Sequence, residues 1–119
     1  RAAVVARYRE ALAGWAEEHG VVLPPELPDR TGNHHIFHLL YPDGRLRDEA
    51  LRSLRSRGIL ATFHYVPLHS APHARALGPP QDLPVTESVA ARLLRLPLHP
   101  GLSGEDVDDV VAAVKETGA

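Results

Sequence analysis

The sequence has 119 residues, with 13 Lys plus Arg, 15 Asp plus Glu and a formal net charge of −2 at pH 7. This length suits a single domain, residues 1–119, whose core needs no disulfide, and the chain contains no cysteine. The missing thiols exclude cysteine catalysis and thiolate zinc sites and favour a reducing compartment, so we expect a cytoplasmic protein. No apolar run is long enough to span a membrane. The balanced charge argues against nucleic acid as a partner.

Residues 1–20 predict an amphipathic helix, because apolar residues recur at steps of three and four before Gly20. The next segment, residues 21–33, carries three prolines and predicts an extended connector. The chain begins at Arg1 within helical sequence, which suggests a piece of a longer protein, although processing would give the same start.

Two strands and a helix are predicted next. Residues 34–41, HHIFHLLY, are rich in aromatic and branched side chains between turn residues, which is typical of a central strand. Residues 45–58 predict an amphipathic helix that ends at Gly58, and residues 59–66, ILATFHYV, return to strand character. A strand, a helix and a strand in this order indicate a crossover unit on a small sheet.

The last third of the chain predicts a loop and two helices. Residues 67–84 contain five prolines and predict a surface loop with at most a short helix. Residues 85–96 predict a helix with Thr86 as its N-cap, and Ser103 with Asp106 predicts a capping box at the start of the final helix. The fold class is therefore α+β, a small, mostly antiparallel sheet of about three strands with helices chiefly on one face.

Eight histidines raise the question of a metal site. On a strand, His34 and His38 would share a face but lie about 13 Å apart, too far for one ion. His69 and His73 would meet on a helix, but Pro72 between them disfavours a regular one unless the helix opens there. We therefore predict no metal ligands; a metal-dependent hydrolase would require stoichiometric zinc.

The most concentrated group of polar and aromatic side chains lies in residues 63–72, FHYVPLHSAP. His64, Tyr65 and His69 can hydrogen-bond to hydroxyls and phosphate oxygens, and the Tyr65 ring offers an apolar surface to a sugar or base. Prolines stiffen the segment, which favours a binding wall. In the alternative interpretation, Phe63 and Tyr65 pack into the core and the histidines cap turns.

Four motifs together resemble the C-terminal domain of the DegT/DnrJ/EryC1/StrS sugar aminotransferases. They follow the order of that family and cover nearly the whole chain: NHHIFHLL at 33–40, GILATFHYVPLHSAP at 58–72, LPVTE at 83–87 and LRLPL at 94–98. The sequence of the second motif is similar to that found in the branch of the family that makes dTDP-4-amino-4,6-dideoxygalactose.

The resemblance implies the small C-terminal domain of a fold type I, pyridoxal phosphate-dependent transferase, with residues 1–20 as the helix that links it to an absent large domain. The cofactor lysine would lie in that large domain, because the only lysine here, Lys115, lies near the C-terminus and far in sequence from any loop that could hold a phosphate. The implied parent is a cytoplasmic homodimer that moves an amino group, with glutamate as the expected donor, to a nucleotide-linked 4-keto-6-deoxy sugar. This portion alone is expected to hold no cofactor and to be inactive.

The same resemblance places the substrate-binding wall at His64, Tyr65 and His69, with Asn33 and His34 as weaker candidates. No catalytic, cofactor-binding or metal residue is predicted in this portion. A rival hypothesis is a free-standing, non-catalytic binding or interaction domain. The coding region upstream of Arg1 would separate the two, because the first hypothesis requires a large domain with a cofactor lysine.

Overall fold

The computed structural model describes residues 1–79 and 81–117. In chain order, this part of the protein forms α1 (Ala2–Glu18), β1 (Phe37–Leu40), α2 (Gly44–Ser56), a 3₁₀ turn (Leu68–Ser70), α3 (Pro72–Leu77), α4 (Pro84–Arg92), β2 (Leu93–Leu96) and α5 (Gly104–Lys115). None of the helices in these ranges has the length and apolar content that crossing a membrane requires.

The sheet consists of β1 and β2 in antiparallel register, with Phe37 opposite Leu96 and His38 opposite Arg95. One further residue pairs on each side, because Val22 bridges to β1 and Thr62 bridges to β2, each in antiparallel fashion. The sheet is thus two short strands, flanked by single bridges from the connector and from the segment after α2.

The two faces of the sheet differ in burial. In β1 and β2 every second residue is buried, as expected where one face meets the core and the other is left partly open. Helices α1, α2 and α5 cover the buried face with one apolar cluster, which confirms the α+β class with helices on one face. Its largest members include Tyr8, Leu12, Trp15, Phe37, Leu39, Leu54, Leu94, Val107 and Val114.

Local signals account for several helix ends. The Asp43 side chain accepts a hydrogen bond from Leu46 N at 2.8 Å and caps α2. The predicted capping box of α5 is confirmed, since Ser103 and Asp106 bond reciprocally. After α2, Gly58 has a φ of +77°, a conformation that side chains with a Cβ rarely adopt.

Helix α1 is tied to the segment that follows β2. The fully buried Tyr8 donates a hydrogen bond from its hydroxyl to the carbonyl oxygen of Pro97 at 3.0 Å, and its ring lies 5.2 Å from that of Phe37. Burial, together with the negative charge of Asp106, raises the pKa of Tyr8 to about 12. Residues 1–20 therefore pack against the domain as part of its core.

Both predicted strands are shorter than the sequence suggested. In the range 34–41 only Phe37–Leu40 is strand, because His34 has a φ of +50° that interrupts an extended chain. In the range 59–66 only Thr62 pairs with the sheet, and the chain then leaves its plane. The sheet accordingly has two strands where about three were predicted.

The predicted helix 85–96 was wrong at both ends. Pro84 opens α4 at its first helical position, so Thr86 is not the N-cap. The last four residues form β2, with Leu94 and Leu96 buried and their neighbours half-buried. A short apolar run satisfies the helical and the strand period at once, and pairing with β1 decides between them.

Candidate functional site

The loop predicted as a binding wall protrudes from the end of the Thr62 bridge. A 3₁₀ turn over Leu68–Ser70 stiffens it, since the Ser70 hydroxyl donates to the Pro67 carbonyl oxygen at 3.0 Å. The Tyr65 side chain is 70% exposed and that of Phe63 is 44% exposed, so neither packs into the core of this chain. The loop thus presents aromatic and apolar surface outward.

His64 and Tyr65 form one unit at the base of this loop. Their rings lie 4.6 Å apart in an edge-to-face arrangement. The Nδ1 atom of His64 is buried and has no hydrogen-bond partner within the described residues. Burial and, second, the charge of nearby His64 lower the pKa of His38 on β1. The charge of His64 therefore acts on His38, which lies at a half-buried position of β1.

His69 points in a different direction from Tyr65. Its side chain is only 10% exposed, and its Nε2 atom lies 2.7 Å from Glu87 Oε1 at the start of α4. The carboxylate is out of line with the ring N–H, so this is a close polar contact without hydrogen-bond alignment. The contact holds the 3₁₀ turn against α4.

Asn33 and His34 line a cleft of about 820 Å³ between α1 and the proline-rich connector. Asn33 Oδ1 accepts a hydrogen bond from His35 Nδ1 at 2.6 Å. Arg9 of α1 and His38 of β1 also line the cleft. The cleft combines apolar proline walls with amide, imidazole and guanidinium groups, a composition that suits a polar organic ligand.

Four of the five predicted residues therefore form two groups, each related to His38, and His69 belongs to neither. Asn33 and His34 line the cleft together with His38, and the charge of His64, whose ring is edge-to-face with that of Tyr65, acts on the same histidine. His38 was not predicted as a binding residue. The available signal was its alternation with the buried Phe37 and Leu39, which puts it on the open face of the strand.

The described residues do not supply a cofactor lysine. Lys115 is exposed at the last position of α5 and is not among the residues that line the cleft. A lysine that forms a Schiff base needs a desolvated position beside the reacting group, and Lys115 does not fit that role. In the same part of the chain, no three His, Asp or Glu side chains converge in a way that would hold a metal ion.

Comparisons with known proteins agree with this architecture. Over 118 residues the chain is 36% identical to dTDP-3-amino-3,4,6-trideoxy-alpha-D-glucose transaminase from Streptomyces venezuelae, covering 98% of the chain and 30% of that protein. Over 91 residues it is 38% identical to dTDP-4-dehydro-2,3,6-trideoxy-D-glucose 4-aminotransferase from Saccharopolyspora spinosa, covering 76% of the chain and 23% of the relative.

The same similarity extends to solved structures. The aminotransferase TlmJ from Streptoalloteichus hindustanus matches 98% of the chain with a TM-score of 0.87 and 34% identity, and the match covers 30% of that protein. The chain thus spans less than a third of these relatives. Residues 1–115 match the profile of the DegT/DnrJ/EryC1/StrS aminotransferase family, and the chain belongs to this family.

Proposed function

We propose that this chain forms the substrate-side domain of a pyridoxal phosphate-dependent aminotransferase that acts on a nucleotide-linked 4-keto-6-deoxy sugar. In the proposed reaction glutamate gives up its amino group and becomes 2-oxoglutarate, while the keto carbon of the sugar becomes an amine. We propose a homodimeric, cytoplasmic parent enzyme whose product is of the dTDP-4-amino-4,6-dideoxygalactose type. The relatives named above, which are dTDP-sugar transaminases by name, support a nucleotide-linked sugar.

The observation that carries the proposal is a pair of polar groups, each related to His38. A nucleotide sugar is a long ligand with a base, phosphates and a hexose, and it needs contacts spread over an extended surface. The cleft lined by Asn33, His34 and His38 supplies one part of such a surface, and the exposed Tyr65 ring beside His64 supplies another. We assign the sugar nucleotide to this surface.

In our proposal, the transfer of the amino group takes place on a large domain that is not part of these residues. Pyridoxal phosphate, when bound by a large domain, supplies an electron sink for amino transfer. Lys115 does not fit as its anchor, so no step is assigned to the described residues through the cofactor. These residues bind and orient the substrate. We propose that His69, whose Nε2 atom faces Glu87, also contacts the sugar nucleotide.

The test uses an aminotransferase polypeptide that carries this chain as its C-terminal part. Tyr65→Ala removes an exposed ring, and His69→Ala removes an imidazole. One lost hydrogen bond to a neutral or charged partner should lower kcat/KM for the sugar nucleotide by roughly three- to a hundred-fold. Cofactor absorbance should not change. Steady-state kinetics with glutamate and the keto sugar give the readout.

Two controls separate substrate contact from loop displacement. Leu68→Ala alters an 86% exposed residue of the same loop without removing a polar group, and it should leave kcat/KM unchanged. Glu87→Gln removes the charge that faces His69 while keeping the side-chain shape. If Glu87→Gln reproduces the full loss seen with His69→Ala, His69 acts only by holding the loop. Normal kinetics in both Tyr65→Ala and His69→Ala would refute the proposed substrate wall.

A further inference from the structure

The segment between the Thr62 bridge and β2 contributes no side chain to the buried core. Of residues 63–79 and 81–92, which include the loop, α3 and α4, not one is buried. The backbone hydrogen bonds of residues 63–79 stay within the 3₁₀ turn and α3. Because neither the core nor the sheet ladder holds the loop, residues 63–72, its orientation depends on side-chain contacts.

One close ionic contact joins the loop to α4. His69 Nε2 in the 3₁₀ turn lies 2.7 Å from Glu87 Oε1, and the His69 side chain is nine-tenths buried while that of Glu87 is half exposed. Within residues 1–79 and 81–117 no other ion pair reaches the loop. A ring nitrogen without a hydrogen would repel a carboxylate oxygen at this distance, because both atoms would be acceptors. Nε2 therefore bears a proton and faces the carboxylate.

The start of α4 gives Glu87 a fixed place from which to hold the loop. Pro84 opens the helix, and the backbone N–H of Glu87 donates to Leu83 O at 3.0 Å in the first turn. A carboxylate is stabilised at this end of a helix. The carboxylate is thus anchored on a regular element, whereas the histidine that it faces lies on a segment with no anchor in the core.

We propose that Glu87 is a positioning residue, which through the imidazole of His69 fixes the orientation of the loop and of its exposed Tyr65 ring. This inference rests on the proposed function for the substrate that the loop contacts. Glu87 itself does not touch that substrate. Without its carboxylate the loop samples orientations in which Tyr65 is turned away, and the apparent affinity falls with the population of the competent orientation.

The first measurement is amide hydrogen exchange in the 119-residue chain, followed by NMR at Ser70 and Ala71, whose N–H groups donate within the 3₁₀ turn. Glu87→Ala should accelerate this exchange by about five-fold, a modest factor because the carboxylate is half exposed. His69→Ala should do the same, and the double variant should add nothing further. Glu105→Ala is the matched control, since Glu105 is an exposed first-turn carboxylate of α5.

The second measurement is steady-state kinetics in an aminotransferase polypeptide that carries this chain as its C-terminal part. Glu87→Ala should raise KM for the keto sugar by about two- to five-fold and leave kcat and cofactor absorbance unchanged. The rise in KM cannot exceed the factor seen in exchange if Glu87 acts only on the loop. Glu87→Gln keeps an oxygen acceptor for the Nε2 proton, so its exchange rate should lie between those of the natural chain and Glu87→Ala.

The outcomes separate the two proposals. A well-dispersed NMR spectrum shows that Glu87→Ala is folded. Unchanged exchange or unchanged KM in Glu87→Ala, equal acceleration by Glu105→Ala, or additive effects in the double variant would overturn the positioning role. A rise in KM larger than the exchange factor would also overturn it, because Glu87 would then act on the substrate directly. Accelerated exchange in Glu87→Ala, with normal kinetics in both Tyr65→Ala and His69→Ala, would instead contradict the proposed function.

Discussion

Replacing Tyr8 by phenylalanine tests how α1 is joined to the rest of the domain. The Tyr8 hydroxyl is buried and donates to Pro97 O at 3.0 Å, so Tyr8→Phe removes one hydrogen bond and leaves that carbonyl oxygen without this donor. At pH 7 we expect the free energy of unfolding to fall by about 1 kcal/mol. The ring and its contact with Phe37 remain, so the fold is retained.

The size of this difference should depend on pH. The pKa of Tyr8 rises from 10.0 to about 12 on folding, so the folded protein keeps a proton that the unfolded chain releases. This contribution to stability is fully present below pH 10 and is lost as the pH rises towards 12. At pH 11 it has fallen by about 1.4 kcal/mol, so the advantage of the natural sequence over Tyr8→Phe should be close to zero.

Urea denaturation followed by far-UV circular dichroism, at pH 7 and pH 11, measures the difference directly. The other ionisable groups are common to both proteins, and their contributions cancel in the comparison. A difference between the two proteins that is the same at both pH values would refute the role assigned to the buried hydroxyl.

Three other outcomes are expected. Ser103→Ala should lower the free energy of unfolding by about 1 kcal/mol, measured by urea denaturation, because it removes one half of the capping box; an unchanged midpoint would contradict this. The pKa of His38 is lowered from 6.5, so stability should decrease as the pH falls below 6.5, and His38→Gln should flatten that dependence in thermal melts recorded from pH 7.5 to 5. The 119-residue chain mixed with pyridoxal phosphate should give no borohydride-reducible adduct at a defined site, because Lys115 is an exposed surface lysine; a stoichiometric reduced adduct in the mass spectrum would disprove this.

Helices with local signals and the position of β1 were predictable from the sequence, whereas β2 was not. The capping box at Ser103, the glycine stop at Gly58 and the apolar stripes depend on residues within a few positions of each other. The identity of Leu93–Leu96 as a strand depends on β1, far away in the sequence. Only that pairing distinguishes it from the end of α4, because both alternatives bury leucines.

The candidate site was predictable only in part, where its residues are consecutive in the sequence. The segment around His64 and Tyr65 stands out because its polar and aromatic residues are consecutive and enclosed by prolines. His38 is embedded in an apolar run and, taken alone, is an ordinary polar residue on a half-buried strand. Its place in the cleft depends on how α1 and the connector lie beside β1, which the sequence does not specify by any local motif.

The single bridges at Val22 and Thr62 affect how the domain can associate with other chains. The chain occupies one outer edge of the sheet at each bridge and then leaves it, and after Val22 it continues into Pro24 and Pro25, which have no amide hydrogen to donate. A foreign strand therefore finds no long, continuous ladder of free backbone groups on which to extend the sheet. Growth of this sheet by addition of strands from other chains is therefore disfavoured, even though the loop exposes apolar surface.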